Sequence, residues 1–101
     1  MNKTLEIKAL VPLIEQWADD KGIADKFAQF TKVSEEIGEL ASGLARDDHN
    51  EIKDAFGDVL VTLIVLAHIT GYDLEECLNI AYQEIKGRKG TLVDGVFVKD
   101  E

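Results

Sequence analysis

Apolar positions recur at helical spacing along most of the chain, and four segments carry the pattern. The first runs from Leu5 to about Lys21, with Pro12 either kinking it or marking its true first turn, and Gly22 as its stop. The second runs from about Asp25 to Arg46. Phe27, Phe30, Val33, Ile37, Leu40 and Leu44 are spaced by threes and fours there, which predicts one apolar stripe facing the core. The segment Arg46 to Asn50 breaks the pattern and offers caps for a third helix from about Glu51 to Thr70. From Val59 onward that helix is apolar nearly all round, so it reads as the central one, ended by Gly71. Asp73 caps a fourth helix with Glu76 as a capping-box partner. Leu74, Leu78, Ala81, Tyr82 and Ile85 form its stripe, and Gly87 and Gly90 close it. The tail then switches to two short β-prone runs around Asp94-Gly95, a dipeptide that favours a type I′ hairpin turn.

The fold class this predicts is all-α, a four-helix bundle with a short C-terminal β-hairpin, in one domain spanning residues 1–101. Three other helices of so small a chain do not readily cover a third helix that is apolar on nearly all sides. A homo-oligomer, a homodimer or a homotetramer built as a dimer of dimers, is therefore expected. The longest uncharged run, Val59 to Thr70, falls short of the ~20 residues that span a bilayer, so no membrane partner is expected. The N-terminal stretch carries acids within its apolar run and lacks the apolar core of a signal peptide. With Cys77 as the single cysteine, and read as a core helix residue, neither an internal disulfide nor a cysteine-based zinc site can form. A reducing, cytoplasmic setting fits.

Charge narrows the function. The chain has 20 acidic and 11 basic residues, a formal net charge of −9, which disfavours long nucleic acid. A small anionic ligand could still bind through a bridging divalent cation. The acids concentrate in VSEEIGEL (Val33 to Leu40) and DAFGDVL (Asp54 to Leu60). At about 100° per residue, with Glu35 at zero, Glu39 lies at about 40° and Glu36 at about 100°. Glu36 thus borders the buried face, Glu35 and Glu39 lie further out, and Lys32 falls between Glu39 and Glu36 one turn earlier. In the third helix Asp54 and Asp58 share a face, and Glu51 lies one turn before Asp54 on nearly the same line. The bland alternative is a solvated acidic face, with Asp54 favoured by the dipole of the helix's first turn. If the carboxylates converge, several charges near the core need a counter-ion. Oxygen ligands without His or Cys suit Mg²⁺, with Mn²⁺ as a substitute.

The basic run of Lys86, Arg88 and Lys89 ends the fourth helix. It reads equally as dipole compensation and as phosphate binding, with Lys86 and Arg88 chosen for the latter. His49 sits in a polar turn and His68 reads as a core histidine. Trp17 reads as core, with stacking on a base as the alternative.

With both acidic motifs in view, the chain from about Trp17 to Lys99 resembles the MazG-like nucleotide pyrophosphohydrolases, and its ending is similar to small, stand-alone and phage-type members. The resemblance rests on Glu35-Glu36-x-x-Glu39, on GDVL, on IKGRKG and on their order. It implies hydrolysis of nucleoside triphosphates, often deoxy ones, to monophosphate and pyrophosphate, with helices of two subunits completing one bundle. Carried over by position, Glu36 and Glu39 would be metal ligands, Glu35 a ligand or the group orienting water, and Asp58 the aspartate of the family's Glu-x-x-Asp motif. The catalytic set would be Glu35, Glu36, Glu39 and Asp58. The metal set would be Glu36, Glu39, Asp54 and Asp58. The substrate-binding set would be Lys32, Lys86, Arg88 and Trp17. Mg²⁺ would activate a water in line with the α-phosphorus and neutralise the leaving pyrophosphate. One position departs from the pattern: Ala55 stands where the motif's glutamate is expected, with Asp54 or, less directly, Glu51 as the replacement. Two alternatives follow, a non-catalytic helical oligomeric module of the same fold and a phosphoribosyl-ATP pyrophosphatase-like enzyme.

Overall fold

The computed structural model describes residues 3–101. Four helices and a hairpin follow in the expected order: α1 Ile7–Lys21, α2 Lys26–Arg46, α3 His49–Thr70, α4 Leu74–Ile85, β1 Gly90–Val93 and β2 Val96–Lys99. Gly22 and Gly71, both left-handed, end α1 and α3. Pro12 lies inside a continuous α1. The Asp25 side chain accepts from the Phe27 and Ala28 amides and starts α2. Asp48 accepts from the Glu51 amide, so α3 begins at His49, two residues earlier than its periodicity indicates. Only Asp47, left-handed at φ 52°, and Asp48 separate α2 from α3, which makes the pair a tight antiparallel hairpin. Asp73 accepts from Glu75 and Glu76, while the reciprocal bond of a capping box is not formed among the described residues. Asp94 (φ 50°) and Gly95 (φ 81°) make the type I′ turn, and the strands pair antiparallel from Gly90↔Lys99 to Val93↔Val96.

Packing centres on α3, with α2 along one side and α1 on another. The α2 face that meets α3 is Gln29, Val33, Glu36, Leu40 and Gly43. All of these are buried except the half-buried Leu40. This corrects the reading of the apolar stripe. Val33 and Leu40 belong to the seam, but Phe27, Phe30, Ile37 and Leu44 are half or more exposed. By helical counting the seam is rotated about 100° from them. The seam is drawn to its line by features other than hydrophobicity. Gln29 Nε2 donates to the Thr62 carbonyl across the interface at 3.2 Å, and Gly43 lets the backbones approach.

The α4 helix leaves α3 at 107° and has no buried residue. Cys77 and Trp17, expected in the core, are both exposed, because α4 does not pack on the helical pair and α1 turns the indole outward. No single helix among the described residues is long and apolar enough to cross a membrane.

A Cβ at Gly43 would stand 2.9 Å from Glu51 Cγ and 3.3 Å from Ile52 Cγ1, whereas one at Gly38 meets nothing within 4 Å. Gly43→Ala should therefore cost about 1 kcal/mol or more by prying the seam apart. Gly38→Ala should gain about 0.5–1 kcal/mol from helix propensity. Urea unfolding of both variants checks the opposite signs, and equal stabilisation by both would show that the seam tolerates the extra methyl.

Candidate metal and nucleotide site

Because Glu36 lies in the seam, its carboxylate is carried into the interior beside α3; only 7% of the residue is exposed. Glu39, three residues on, stays exposed at the seam's edge, and Asp58 comes from α3 half-buried. One oxygen from each of Glu36, Glu39 and Asp58 lies within 4.8 Å of the other two. The two acidic motifs therefore do converge, from two helices.

The site is electrostatically unbalanced. Lys32 Nζ is 3.5 Å from Glu36 Oε1 and 3.4 Å from Glu35 Oε2, while Glu36 Oε2 is buried and has no hydrogen-bond partner. A buried carboxylate oxygen without a donor is costly. Asp58 is pushed above its ordinary 3.8, first by desolvation and then by the charges of Asp54 and Glu36. Glu39 is pushed above 4.5 by the charge of Glu36 first, with Glu51 adding to it. Lys32 is raised above 10.5, chiefly by Glu35, and stays an ammonium. All-oxygen donors, a shared excess of negative charge and one orphaned oxygen fit a hard divalent cation.

The other expected residues fall around this centre or apart from it. Asp54 adjoins Asp58 on the exposed side and lies outside the three-oxygen group. Since α3 begins at His49, Asp54 is in the second turn, so the first-turn dipole does not account for it. Ala55 is buried, so the position where the motif has glutamate presents only a methyl to the interior. Glu35 points outward and pairs with Lys32. Lys86 and Arg88 are exposed beyond the end of α4, with no ion pair to the cluster among the described residues. His68, expected in the core, lies at its edge. It is partly exposed, with Nε2 2.9 Å from Asp19 Oδ1 and Nδ1 3.5 Å from Glu15 Oε2, and it ties α1 to α3. Sequence reasoning missed Gln29 as a seam residue. The available signal was a line of Gln29, Glu36 and Gly43, each seven residues apart, which marks a second helix face with polar and small side chains.

The MazG nucleotide pyrophosphohydrolase domain model matches residues 28–93, a span that holds both acidic motifs and the start of the hairpin. The chain belongs to this family. In fold, this MazG domain is similar to a crystal structure of the Bacillus-conserved MazG protein, a nucleotide pyrophosphohydrolase. The TM-score is 0.73 at 24% identity, over 87% of this chain and 97% of that one. It is also 40% identical over 65 residues to an uncharacterized 18.2 kDa protein from the rep-hol intergenic region of Haemophilus phage HP1. That match takes in 61% of this chain and only 40% of the phage protein.

The raised carboxyls set a pH signature. The folded MazG domain keeps protons on Asp58 and Glu39 that the unfolded chain has already released. Without metal, stability therefore falls as pH climbs from the ordinary carboxylate range through the raised one. Urea midpoints between about pH 4 and about pH 6.5 should show this decline, and Asp58→Asn should flatten part of it. Added Mg²⁺ should oppose the decline, since ligation requires the deprotonated forms. A wild-type and Asp58→Asn difference that stays constant across the interval would contradict the assignment.

Proposed function

We propose that this MazG domain hydrolyses nucleoside triphosphates, deoxynucleotides in particular, to monophosphate and pyrophosphate with Mg²⁺, for which Mn²⁺ can substitute. The observation that carries the proposal is the convergence of Glu36, Glu39 and Asp58 around the unpartnered Glu36 oxygen. In this reading Glu36 and Glu39 from α2 and Asp58 from α3 hold the cation, with Asp54 as an added carboxylate beside Asp58. When bound, the cation supplies Lewis-acid activation of water and neutralises the leaving pyrophosphate. Glu35, exposed and paired with Lys32, would orient a water. Lys32 is the cation nearest the phosphates, while Lys86, Arg88 and Trp17 contribute contacts to phosphate and base.

Lys86 and Arg88 follow a helix that has little packing within its own protomer, so this reading includes a second copy of the chain. A homodimer or homotetramer would cover Phe27, Phe30, Ile37 and Leu44 and bring α4 of one protomer toward the cluster of another. The activity is read as a cytoplasmic one, acting on a free nucleotide pool.

Phosphorus NMR with a panel of dNTPs and NTPs, with Mg²⁺ and with EDTA, tests the reaction. Pyrophosphate and monophosphate should appear only with the metal. Glu36→Gln and Asp58→Asn should each lower the rate about 100-fold or more while retaining helical circular dichroism. Light scattering should give two or four times the 11.2 kDa chain mass; a lone monomer would remove the shared site. The buried Ala55 motivates a second reading, a non-catalytic oligomeric module. It expects neither hydrolysis nor any Mg²⁺-dependent rise in melting temperature.

A further inference from the structure

We propose that Lys32 is the resident counter-ion of the acidic cluster: it occupies Glu36 until a divalent cation displaces it, and the released ammonium then binds a phosphate oxygen of the nucleotide. The inference rests on the metal-dependent reading above and deepens it by giving one residue two successive partners.

The geometry supports an exchange rather than a fixed pair. Lys32 touches only one of the two Glu36 oxygens, and the 3.5 Å separation is loose for a charge-assisted hydrogen bond. More than half of the Lys32 side chain is exposed, while that of Glu36 is buried. One partner is thus free to swing and the other is held. A second carboxylate, Glu35, waits 3.4 Å from the same Nζ on the solvent side, so leaving Glu36 does not strand the ammonium. A cation seated among Glu36, Glu39 and Asp58 would stand close to Nζ and repel it, which weakens the Lys32–Glu36 attraction. An incoming triphosphate would bring the opposite effect. It meets a chain of net charge −9, and Lys32 is the one basic side chain paired with the cluster among the described residues. Lysine suits this exchange because its ammonium is a point charge on a flexible stem, whereas arginine's planar fork favours a fixed bidentate partner.

The two roles give opposite signs in binding, and that separates them from a structural role. Removing the charge should strengthen metal binding and weaken nucleotide binding. Mn²⁺ titration of the full chain by electron paramagnetic resonance should show Lys32→Met binding the ion roughly 2–5-fold more tightly than wild type. With saturating Mn²⁺, an α,β-imido deoxynucleoside triphosphate should bind Lys32→Met about tenfold more weakly by calorimetry. Lys32→Arg, which keeps the charge but favours a fixed bidentate partner, should bind Mn²⁺ no more tightly than wild type. Weaker Mn²⁺ binding by Lys32→Met would overturn the proposal, since Lys32 would then be orienting Glu36 for the metal. Unchanged affinity for the analogue would overturn it as well. If wild type binds no Mn²⁺ at all, the metal-dependent function itself falls, and the exchange with it. If wild type binds Mn²⁺ and the Lys32 variants match it throughout, the function stands and only the exchange is lost.

Discussion

The close approach of α2 to α3 is the constraint on which everything else in the molecule depends. Gly43 provides the room, Val33 and Leu40 provide apolar contact, and Gln29 reaches the Thr62 carbonyl across the gap. The same seam carries Glu36 into a place where a carboxylate is poorly solvated. A hydrophobic seam would be more stable on its own account. Burying a charge and leaving one of its oxygens without a donor opposes folding, and such an arrangement persists where a ligand completes it. The packing and the chemistry are therefore one feature of the sequence, read from two sides.

The remaining surfaces fit the same view. A helix normally has one face to bury, but α2 has two: the seam, and the open line of Phe27, Phe30, Ile37 and Leu44. The α4 helix and the hairpin present apolar side chains as well, with Leu78, Leu92 and Val96 among the most exposed. One protomer does not hide these groups. The bundle shared between copies that is proposed above would cover apolar area of this extent.

Much of this was legible in the sequence, and the failures have identifiable causes. Helix existence, the left-handed stops and the Asp94-Gly95 turn follow from local chemistry, which acts within a few residues, so they were readable. Helical counting fixes which side chains share a face, so Glu36 and Asp58 read as carboxylates at the edge of the core, and the structure brings an oxygen of each within 4.8 Å of the other. The identity of the buried face of α2 was not readable from hydrophobicity alone. Phe30 and Ile37 are stronger apolar signals than Gln29 and Gly43, yet close backbone approach and a cross-helix hydrogen bond select the latter. His68 was misread for a related reason. Its neighbours along α3 are apolar, but its partners Glu15 and Asp19 come from α1, about 50 residues earlier in the chain, and sequence proximity does not reveal them.

The two-residue connection between α2 and α3 bears on how the molecule comes into being. Asp47 and Asp48 alone turn the chain back on itself, so the carboxylates of Glu36 and Asp58 meet across a short stretch of polypeptide. Contacts of low sequence separation carry a small loop-closure entropy and form early. The acidic cluster thus belongs to the part of the chain that can assemble first, before α1 docks and before any second copy arrives. If the cluster holds a cation as proposed, its capture by the nascent helical hairpin would bias the collapse of the chain as well as serve the finished protein.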